Sequence, residues 1–243
     1  MAEAGGRARD GRFHTTQWTL VLSAAADDAA AAAALESLCQ SYWYPLYAFI
    51  RRQGYGAPEA EDLTQSFFSR LIEKEYLSQA DRNRGKFRSF LLTAVKHFLS
   101  NERDRAAAQK RGGGAQHVTL DFGDAEERYA REPSSGLTPE EIFEKRAALS
   151  LLDRALAQLG AEYEARGNSR QFEILAPLLT GDSEALYEKA AAELGMSRGA
   201  VRVALHRMRG RFRIILRDLV ASLVAGPEDV DDEIRHLVNA VAI

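Results

Sequence analysis

The sequence of 243 residues contains only one cysteine, Cys39. An intrachain disulfide is therefore impossible, which favours a cytoplasmic location. The five histidines are scattered, and none lies at metal-ligand spacing from Cys39, so we expect neither a metal nor a cofactor. No apolar run approaches the ~20 residues of a membrane span, and the first residues lack the apolar segment of an export signal. We therefore expect a soluble protein that does not contact a membrane.

The chain also lacks stretches that alternate between apolar and polar residues, the pattern of a half-buried strand. Apolar residues recur instead at helical spacing. Four long stretches show this pattern: residues 27–54, 56–77, 85–111 and 138–159. Thr138 and Pro139 are a suitable cap and first residue for the last of these helices. A further short helix is predicted over 15–28, and Pro45 predicts a break or a kink in the first long helix.

Glycine, proline and acidic residues accumulate between the helical stretches, above all after Gly112. This pattern predicts an all-α fold of two small helical domains joined by a flexible acidic linker. The predicted segments are a partly disordered N-terminal extension (1–30), a first helical domain (31–111), a linker (112–145), a second helical domain (146–225) and an acidic tail (226–243) with one short helix.

The net charge of -3 conceals a strong segregation of charge along the chain. Residues 82–111 contain nine Lys and Arg against two acids, a balance of +7, whereas residues 121–144 contain two Arg against eight acids, a balance of -6. Residues 195–217 contain seven arginines and no acid. Two basic segments separated by an acidic one indicate two contacts with a polyanion.

Residues 184–220 have the pattern of a helix-turn-helix. Gly195 permits a sharp turn after the first helix, and Ser197 is a suitable cap for the second. One face of the second helix is apolar: Val201, Leu205, Met208, Phe212, Ile215 and Leu219. A neighbouring face is basic: Arg198, Arg202, His206, Arg209, Arg213 and Arg217. This layout predicts a helix that enters a DNA major groove, with Ser197, Arg198, Arg202 and His206 towards bases and Arg209 and Arg213 towards phosphates.

The alternative for this segment is a helical hairpin whose basic face is merely solvated. The turn glycine, the cap and the absence of acids over twenty residues favour the DNA-binding interpretation.

Two further segments, "EAEDLTQSFFSRLIEK" and "RGKFRSFLLTAVKHFLSNERDRAAAQKR", precede the linker. Together they resemble region 2 of bacterial extracytoplasmic-function (ECF) sigma factors, and the helix-turn-helix resembles region 4 of the same family. The resemblance covers about residues 35–111 and 146–220, in the order that the family has. It implies a subunit that directs core RNA polymerase to promoters, with region 4 reading the minus-thirty-five element and region 2 reading and melting the minus-ten element.

The resemblance implies that the first of these segments docks on core RNA polymerase. The residues that carry this expectation are Glu59, Glu61, Asp62 and Gln65. Acids would suit a basic partner surface, although acids at a helix N-terminus also stabilise the helix in any protein.

The second segment resembles the part of region 2 that opens the promoter. Basic residues with interleaved aromatic residues suit the capture of a melted non-template strand, because bases stack on aromatic rings and phosphates bind cations. The residues of these types are Lys86, Phe87, Arg88, Phe90, Lys96, His97, Arg103 and Arg105. Phe87 and Phe90, three residues apart, could instead pack together in the core.

The sequence departs from the family pattern at several positions. Phe90 stands where tryptophan is common, and His97 stands where asparagine is common. In the helix-turn-helix, Val203 and Ala204 replace a pair that usually resembles Ser-Arg, which removes possible phosphate or base contacts.

Two other classes of function remain open from the residues alone. A stand-alone helix-turn-helix repressor or activator would need only the second domain and a means of dimerising. A metal-dependent nuclease could use Glu59, Glu61 and Asp62, but no further carboxylate or histidine is positioned by the sequence to complete such a site.

Three regulators of the protein are open from the sequence: an anti-sigma factor, the acidic tail and a kinase. Family members are often restrained by an anti-sigma factor. The acidic tail, with five acids against Arg235, could act within the chain by mimicking DNA and covering region 4. A regulatory kinase could add negative charge beside the docking acids at Thr64, Ser66 or Ser69.

Overall fold

The computed structural model describes the chain in six segments: residues 29–72, 86–108, 125–132, 136–181, 183–224 and 226–242. These segments contain nine α-helices. The first four are α1 (Ala29–Arg52), α2 (Ala57–Ile72), α3 (Phe87–Ala108) and α4 (Ala125–Ala130). The others are α5 (Pro139–Ala165), α6 (Ser169–Leu175), α7 (Glu184–Leu194), α8 (Arg198–Ala221) and α9 (Val230–Ala242). Short 3-10 turns at Ala176–Leu178 and Pro227–Asp229 follow α6 and precede α9.

The described segments contain no β-strand, so the all-α prediction is confirmed. A single isolated antiparallel bridge joins Lys86, just before α3, to Val224, just after α8. The amide of Phe87 also donates to the carbonyl of Leu223 at 3.2 Å. These contacts join the start of the predicted promoter-melting segment to the end of the helix-turn-helix.

Helix α1 is the centre of the first core. Every residue from 41 to 50 is buried, Pro45 included, and the helix continues through this proline. The predicted alternative of a break at Pro45 is therefore wrong, because dense packing on all sides compensates for the hydrogen bond that proline cannot donate; the alternative of a kink stays a prediction. The short helix predicted over 15–28 lies outside the described residues.

Helix α5 connects the two halves of the molecule. It begins with the predicted cap: the Thr138 hydroxyl accepts from the amide of Glu141 at 3.2 Å, and the Glu141 carboxylate accepts from the amide of Thr138 at 2.8 Å. Its N-terminal half packs on α1, where the Phe143 ring lies 6.2 Å from that of Tyr42. Its C-terminal half belongs to a second core with α6, α7 and α8. A helix of 27 residues is about 40 Å long, enough to span both cores.

The acidic segment before α5 binds the first core. Glu126, in α4, accepts hydrogen bonds from Arg51 at 2.8 and 3.0 Å and from Tyr47. Glu132 accepts from Tyr44 at 2.6 Å and from Arg146. The predicted linker therefore contains α4 and the start of α5. Its residues 112–124, to which the prediction of flexibility also applies, lie outside the described residues.

The predicted acidic tail forms α9, which packs against α5 and α8. Val230, Leu237 and Ala240 are buried in the first core, together with Val220, Leu223 and other residues near the end of α8. The prediction of one helix in the tail is correct. The tail lies at the end of α8, away from its first turns, so in this structure it does not cover the predicted base-reading residues of α8.

Candidate nucleic-acid interface

The turn between α7 and α8 has the geometry of a helix-turn-helix. Gly195 has φ 64° and ψ 31°, a left-handed conformation that glycine adopts without strain. The amide of Met196 donates to the carbonyl of Ala191 at 3.0 Å, which closes the end of α7. The Ser197 hydroxyl then accepts from the amide of Ala200 at 3.2 Å and caps α8. Both predicted turn residues thus act as the sequence indicates.

The apolar face of α8 packs as predicted. Val201, Leu205, Met208 and Ile215 are buried in the second core, and Phe212 and Leu219 pack at its edge. Because this face fixes the rotation of the helix, the opposite face must point to solvent. The exposed face contains Arg198, Gly199, Arg202, Val203, His206, Arg207, Arg213, Ile214 and Arg217.

The first two arginines of this face are held by acids of α7. Arg198 binds Glu188 at 2.7 Å, and Arg202 binds Glu184 and lies over the Tyr187 ring, 5.4 Å from its centre. More than half of each of these charged side chains is exposed. Exposed ion pairs contribute roughly 0–1 kcal/mol, so a phosphate or a base edge can replace the acid at little cost.

The other predicted residues of α8 divide into two groups. His206 and Arg213 are exposed beside Arg202. Arg209 is half-buried and donates to the carbonyls of Leu178 at 2.8 Å and Gly181 at 3.2 Å. In this structure Arg209 therefore anchors the segment before α7, whereas the prediction directs it towards phosphate.

The start of the predicted promoter-melting segment is buried in the protein. Phe87 is fully buried, and its ring meets that of Tyr42 edge to face at 5.2 Å. Arg88 is 7% exposed and donates to Glu233 of α9 at 2.6 and 3.3 Å and to Glu144 of α5 at 2.5 Å. Lys86 binds Glu233 at 2.9 Å. Burial opposes the charge of Arg88, but its hydrogen bonds with the two glutamates raise its pKa above the ordinary value.

The rest of this segment extends along α3 into solvent. Phe90 is half-buried against the first core, and its ring lies 6.3 Å from that of Phe87. The two rings therefore pack together, which is the alternative that the sequence left open for them. Lys96 binds Glu140 at 2.7 Å, and this hydrogen bond lowers the pKa of Glu140. The remaining predicted residues, His97, Arg103 and Arg105, are exposed. Arg103 donates a hydrogen bond to the Tyr55 hydroxyl at 3.0 Å, and Arg105 donates one to the Glu102 carboxylate at 2.8 Å.

The predicted docking acids lie on the surface of α2. Glu59, Glu61 and Asp62 are exposed, whereas Gln65 is only 8% exposed. The arrangement leaves three carboxylates available to a basic partner within two turns of one helix. Their roles, like those of the basic residues above, remain predictions.

The residues that hold the basic segment of α3 could not be predicted from the sequence. Glu144, Glu233 and His236 come together only in the folded chain, with His236 Nε2 3.0 Å from Glu144 Oε2. Arg88 and Glu233 are 145 residues apart in sequence. Arg207, exposed on α8, and Arg211, bound to Glu162 at 2.5 and 2.8 Å, could have been found from the arginine-rich pattern alone.

The described residues offer little that would suit another chemistry. They contain no cluster of three or more His, Cys, Asp or Glu that could hold a metal ion. None of their helices is long and apolar enough to cross a bilayer. What they do offer is an exposed basic helix face on a helix-turn-helix, and a second basic helix, α3, at the opposite end of α8.

Comparison with models of known protein families gives a match. The sequence model of a protein family, described as "ECF sigma factor", matches residues 25–218. The match spans both basic segments and most of α8, and it ends before α9. No curated protein and no solved structure matches the chain.

Proposed function

Because the chain belongs to the ECF sigma factor family, whose members are transcription initiation factors and not enzymes, we propose that it binds core RNA polymerase and directs it to a specific set of promoters. The helix-turn-helix carries this proposal. Its left-handed Gly195, its capped second helix and the exposed Arg198, Arg202 and His206 together present one convex basic helix of the size that a major groove accepts. The protein would act on DNA in the cytoplasm.

We propose that the contact with core RNA polymerase uses the exposed carboxylates of α2. Glu59, Glu61 and Asp62 supply three negative charges. Gln65 is largely buried, so it would support this surface from below more than it would touch the partner.

We propose that the minus-ten element binds along α3. His97, Arg103 and Arg105 are exposed in this structure and could meet DNA without any rearrangement. Lys86, Phe87, Arg88 and Phe90 are buried or engaged by Glu233 and the first core. These four residues could take part in promoter melting only after the segment that holds them moves away.

Control by other proteins also belongs to the proposal. The family implies an anti-sigma factor as a partner. A kinase would act on Ser66 or Ser69, which are half-buried, more readily than on Thr64, which is fully buried and donates to the carbonyl of Ala60 at 2.6 Å.

The proposed function is tested by transcription in vitro with bacterial core RNA polymerase on fragmented genomic DNA from the source organism. We expect the protein to produce new transcript starts that share two upstream sequence elements. If the protein binds DNA alone but yields no new starts, it is a stand-alone regulator and the proposal is wrong.

Replacing Arg202 by alanine should weaken binding to the upstream promoter element by roughly 1–3 kcal/mol, if Arg202 makes a bidentate base contact. The loss should be specific to one base pair of the element, as measured by competition between single-base variants of the promoter. A uniform loss across all sequences would mean that Arg202 contacts phosphate alone. Arg131→Ala, at an exposed arginine just after α4, is the matched control and should leave affinity unchanged.

A further inference from the structure

One part of the exposed face of α8 carries no charge, although basic residues lie on both sides of it. Gly199, Val203 and Gly210 follow one another at intervals of four and seven residues, which places them within about 40° of each other around the helix. Val203 is 51% exposed and is one of only four large apolar side chains that are exposed in the described segments. Arg202, directly before Val203, and Arg207, one turn after it, are exposed as well.

The two glycines are not required by packing. A Cβ atom at Gly210 would meet nothing within 4 Å, and at Gly199 it would meet only the Ser197 hydroxyl at 4.0 Å. Neither residue has the positive φ that would favour glycine. Gly210, in the interior of α8, nevertheless destabilises the helix by roughly 1 kcal/mol relative to alanine, whereas Gly199 lies in the first turn. The helix therefore carries an unfavourable glycine, Gly210, on the side opposite its apolar contacts.

We infer that this strip lies directly against base edges in the major groove, and that Val203 selects a thymine by contact with its 5-methyl group. This inference rests on the proposed function and specifies how α8 reads its element. Glycines at positions 199 and 210 let the helix backbone approach the bases, while Arg202, Arg207 and Arg213 reach outward. The thymine methyl is the one apolar group that a base pair shows in the major groove, and an exposed valine is a suitable partner for it.

The test uses the promoter identified by the transcription experiment, with each thymine of its upstream element replaced in turn by uracil, which lacks only the methyl group. We expect the wild-type protein to lose about fourfold in affinity at one thymine, the effect of one buried methyl group. Val203→Ala should bind the thymine and uracil forms equally. Val238→Ala, at a still more exposed valine on α9, is the matched control and should keep the wild-type preference.

The outcomes separate this inference from the proposed function. If the protein produces no new transcript starts, the proposed function is wrong. New starts without sensitivity to any uracil, or sensitivity that persists in Val203→Ala, overturn the role of Val203 and leave the function intact.

The glycines have a test of their own. Gly199→Ala and Gly210→Ala should melt at the wild-type temperature or above it, yet bind the promoter duplex at least tenfold more weakly, because the added methyl groups hold the helix away from the bases. Asn239→Ala makes a similar gain in helix propensity on the exposed surface of α9 and should bind normally. Wild-type affinity in both glycine variants would show that DNA does not approach the strip.

A different observation, the contacts of the start of α3 with the end of α8 and with α9, supports a second inference. Lys86 is bridged to Val224, about 26 residues along from Arg198 at the start of α8, so the two DNA-reading segments begin only about 40 Å apart. The two promoter elements that the proposed function assigns to them lie about 25 base pairs apart, or roughly 85 Å of duplex. In this conformation the starts of the two segments are therefore closer together than the two elements are along the duplex.

We infer that α9 is a latch that holds the protein in a closed form unable to initiate transcription. Glu233 binds Lys86 and Arg88, two of the residues that the proposed function assigns to the melted strand, so the latch and the strand compete for the same cations. The latch lies beyond the part of the chain that matches the family.

The closed form can be locked with a disulfide between the residue just before α3 and a residue just after α8. Facing residues of an antiparallel bridge have Cα atoms about 4.5–5.5 Å apart, a distance that a disulfide spans. Lys86→Cys with Val224→Cys should form this bond, and Cys39 is buried and should not compete. We expect the oxidised double variant, mixed with core RNA polymerase, to give at least tenfold fewer promoter-specific transcripts than the same protein after reduction.

The ratio of reduced to oxidised activity is the measured quantity, because Lys86 itself is a proposed DNA contact. Each single cysteine variant should show a ratio near one. Equal activity of the oxidised and reduced double variant would overturn the latch, whereas absence of activity in both the wild type and the reduced protein would instead defeat the proposed function.

Discussion

Replacing Glu233 by alanine should lower the free energy of unfolding by about 3 kcal/mol. The Glu233 side chain is 3% exposed and binds both Lys86 and Arg88. Its removal therefore leaves two positive charges with less negative charge to balance them in a buried site. Removing one partner of a buried ion pair typically costs about 3–5 kcal/mol. We expect the lower end of this range because Glu144 still binds Arg88. Urea unfolding followed by circular dichroism measures the change.

The same variant should alter the dependence of stability on pH. Burial opposes ionisation of Glu233, but hydrogen bonds from Arg88 and Lys86 outweigh it and hold its pKa below the ordinary value. Its contribution to stability is therefore complete above the unfolded pKa of about 4.3 and is lost as the pH falls through the lower folded value. Glu233→Ala should lose less stability than the wild type on acidification below about pH 4.

Asp232→Ala is the matched control for both measurements. Asp232 is adjacent on α9, but it is exposed and pairs only with Arg235 one turn away. We expect a change within about 0.5 kcal/mol. If Glu233→Ala proved no more destabilising than Asp232→Ala, the buried ion network would not stabilise the closed form.

Replacing Phe143 by alanine should destabilise the protein by about 3–5 kcal/mol, the usual range for a buried phenylalanine. Phe143 is fully buried, and its ring lies 6.2 Å from that of Tyr42 and 6.5 Å from that of Phe49. It is the main aromatic contact of α5 with α1. Phe172→Ala, which removes a partly buried ring from the second core, should cost less.

The urea unfolding transition of Phe143→Ala also tests whether the two cores unfold together. Because α5 belongs to both cores, loss of its N-terminal contacts should weaken the second core as well. Tryptophan fluorescence and circular dichroism should therefore report one common midpoint in urea. Two separate midpoints would show that the two cores unfold independently and that α5 does not couple them.

Local patterns were sufficient to predict most of the helices. The caps at Thr138 and Ser197 and the turn at Gly195 depend on neighbouring residues, and each has the predicted geometry. The apolar face of α8 follows from its periodicity. Such features involve contacts within one or two turns, which the order of residues specifies directly.

The exceptions depend on residues that are distant in sequence. Pro45 remains helical because partners from other helices bury it, and Arg88 is ion-paired because Glu233 folds back from 145 residues away. A basic residue that binds an acid of its own chain and one that awaits a phosphate look the same in sequence. The placement of Lys86, Phe87 and Arg88 therefore could not be predicted, whereas the exposure of Arg198, Arg202 and His206 could.

The position of α9 also affects when the protein can fold during synthesis. The first core contains residues of α1 together with Val230, Leu237 and Ala240 of α9. A ribosome that adds about 5–20 residues per second needs roughly 7–30 s to proceed from Arg88 to Glu233. During that interval the aromatic residues of α1 are not yet packed against α9. The N-terminal half can therefore complete its core only when the chain is almost finished, and nascent chains shortened before α9 should be the ones that chaperones bind.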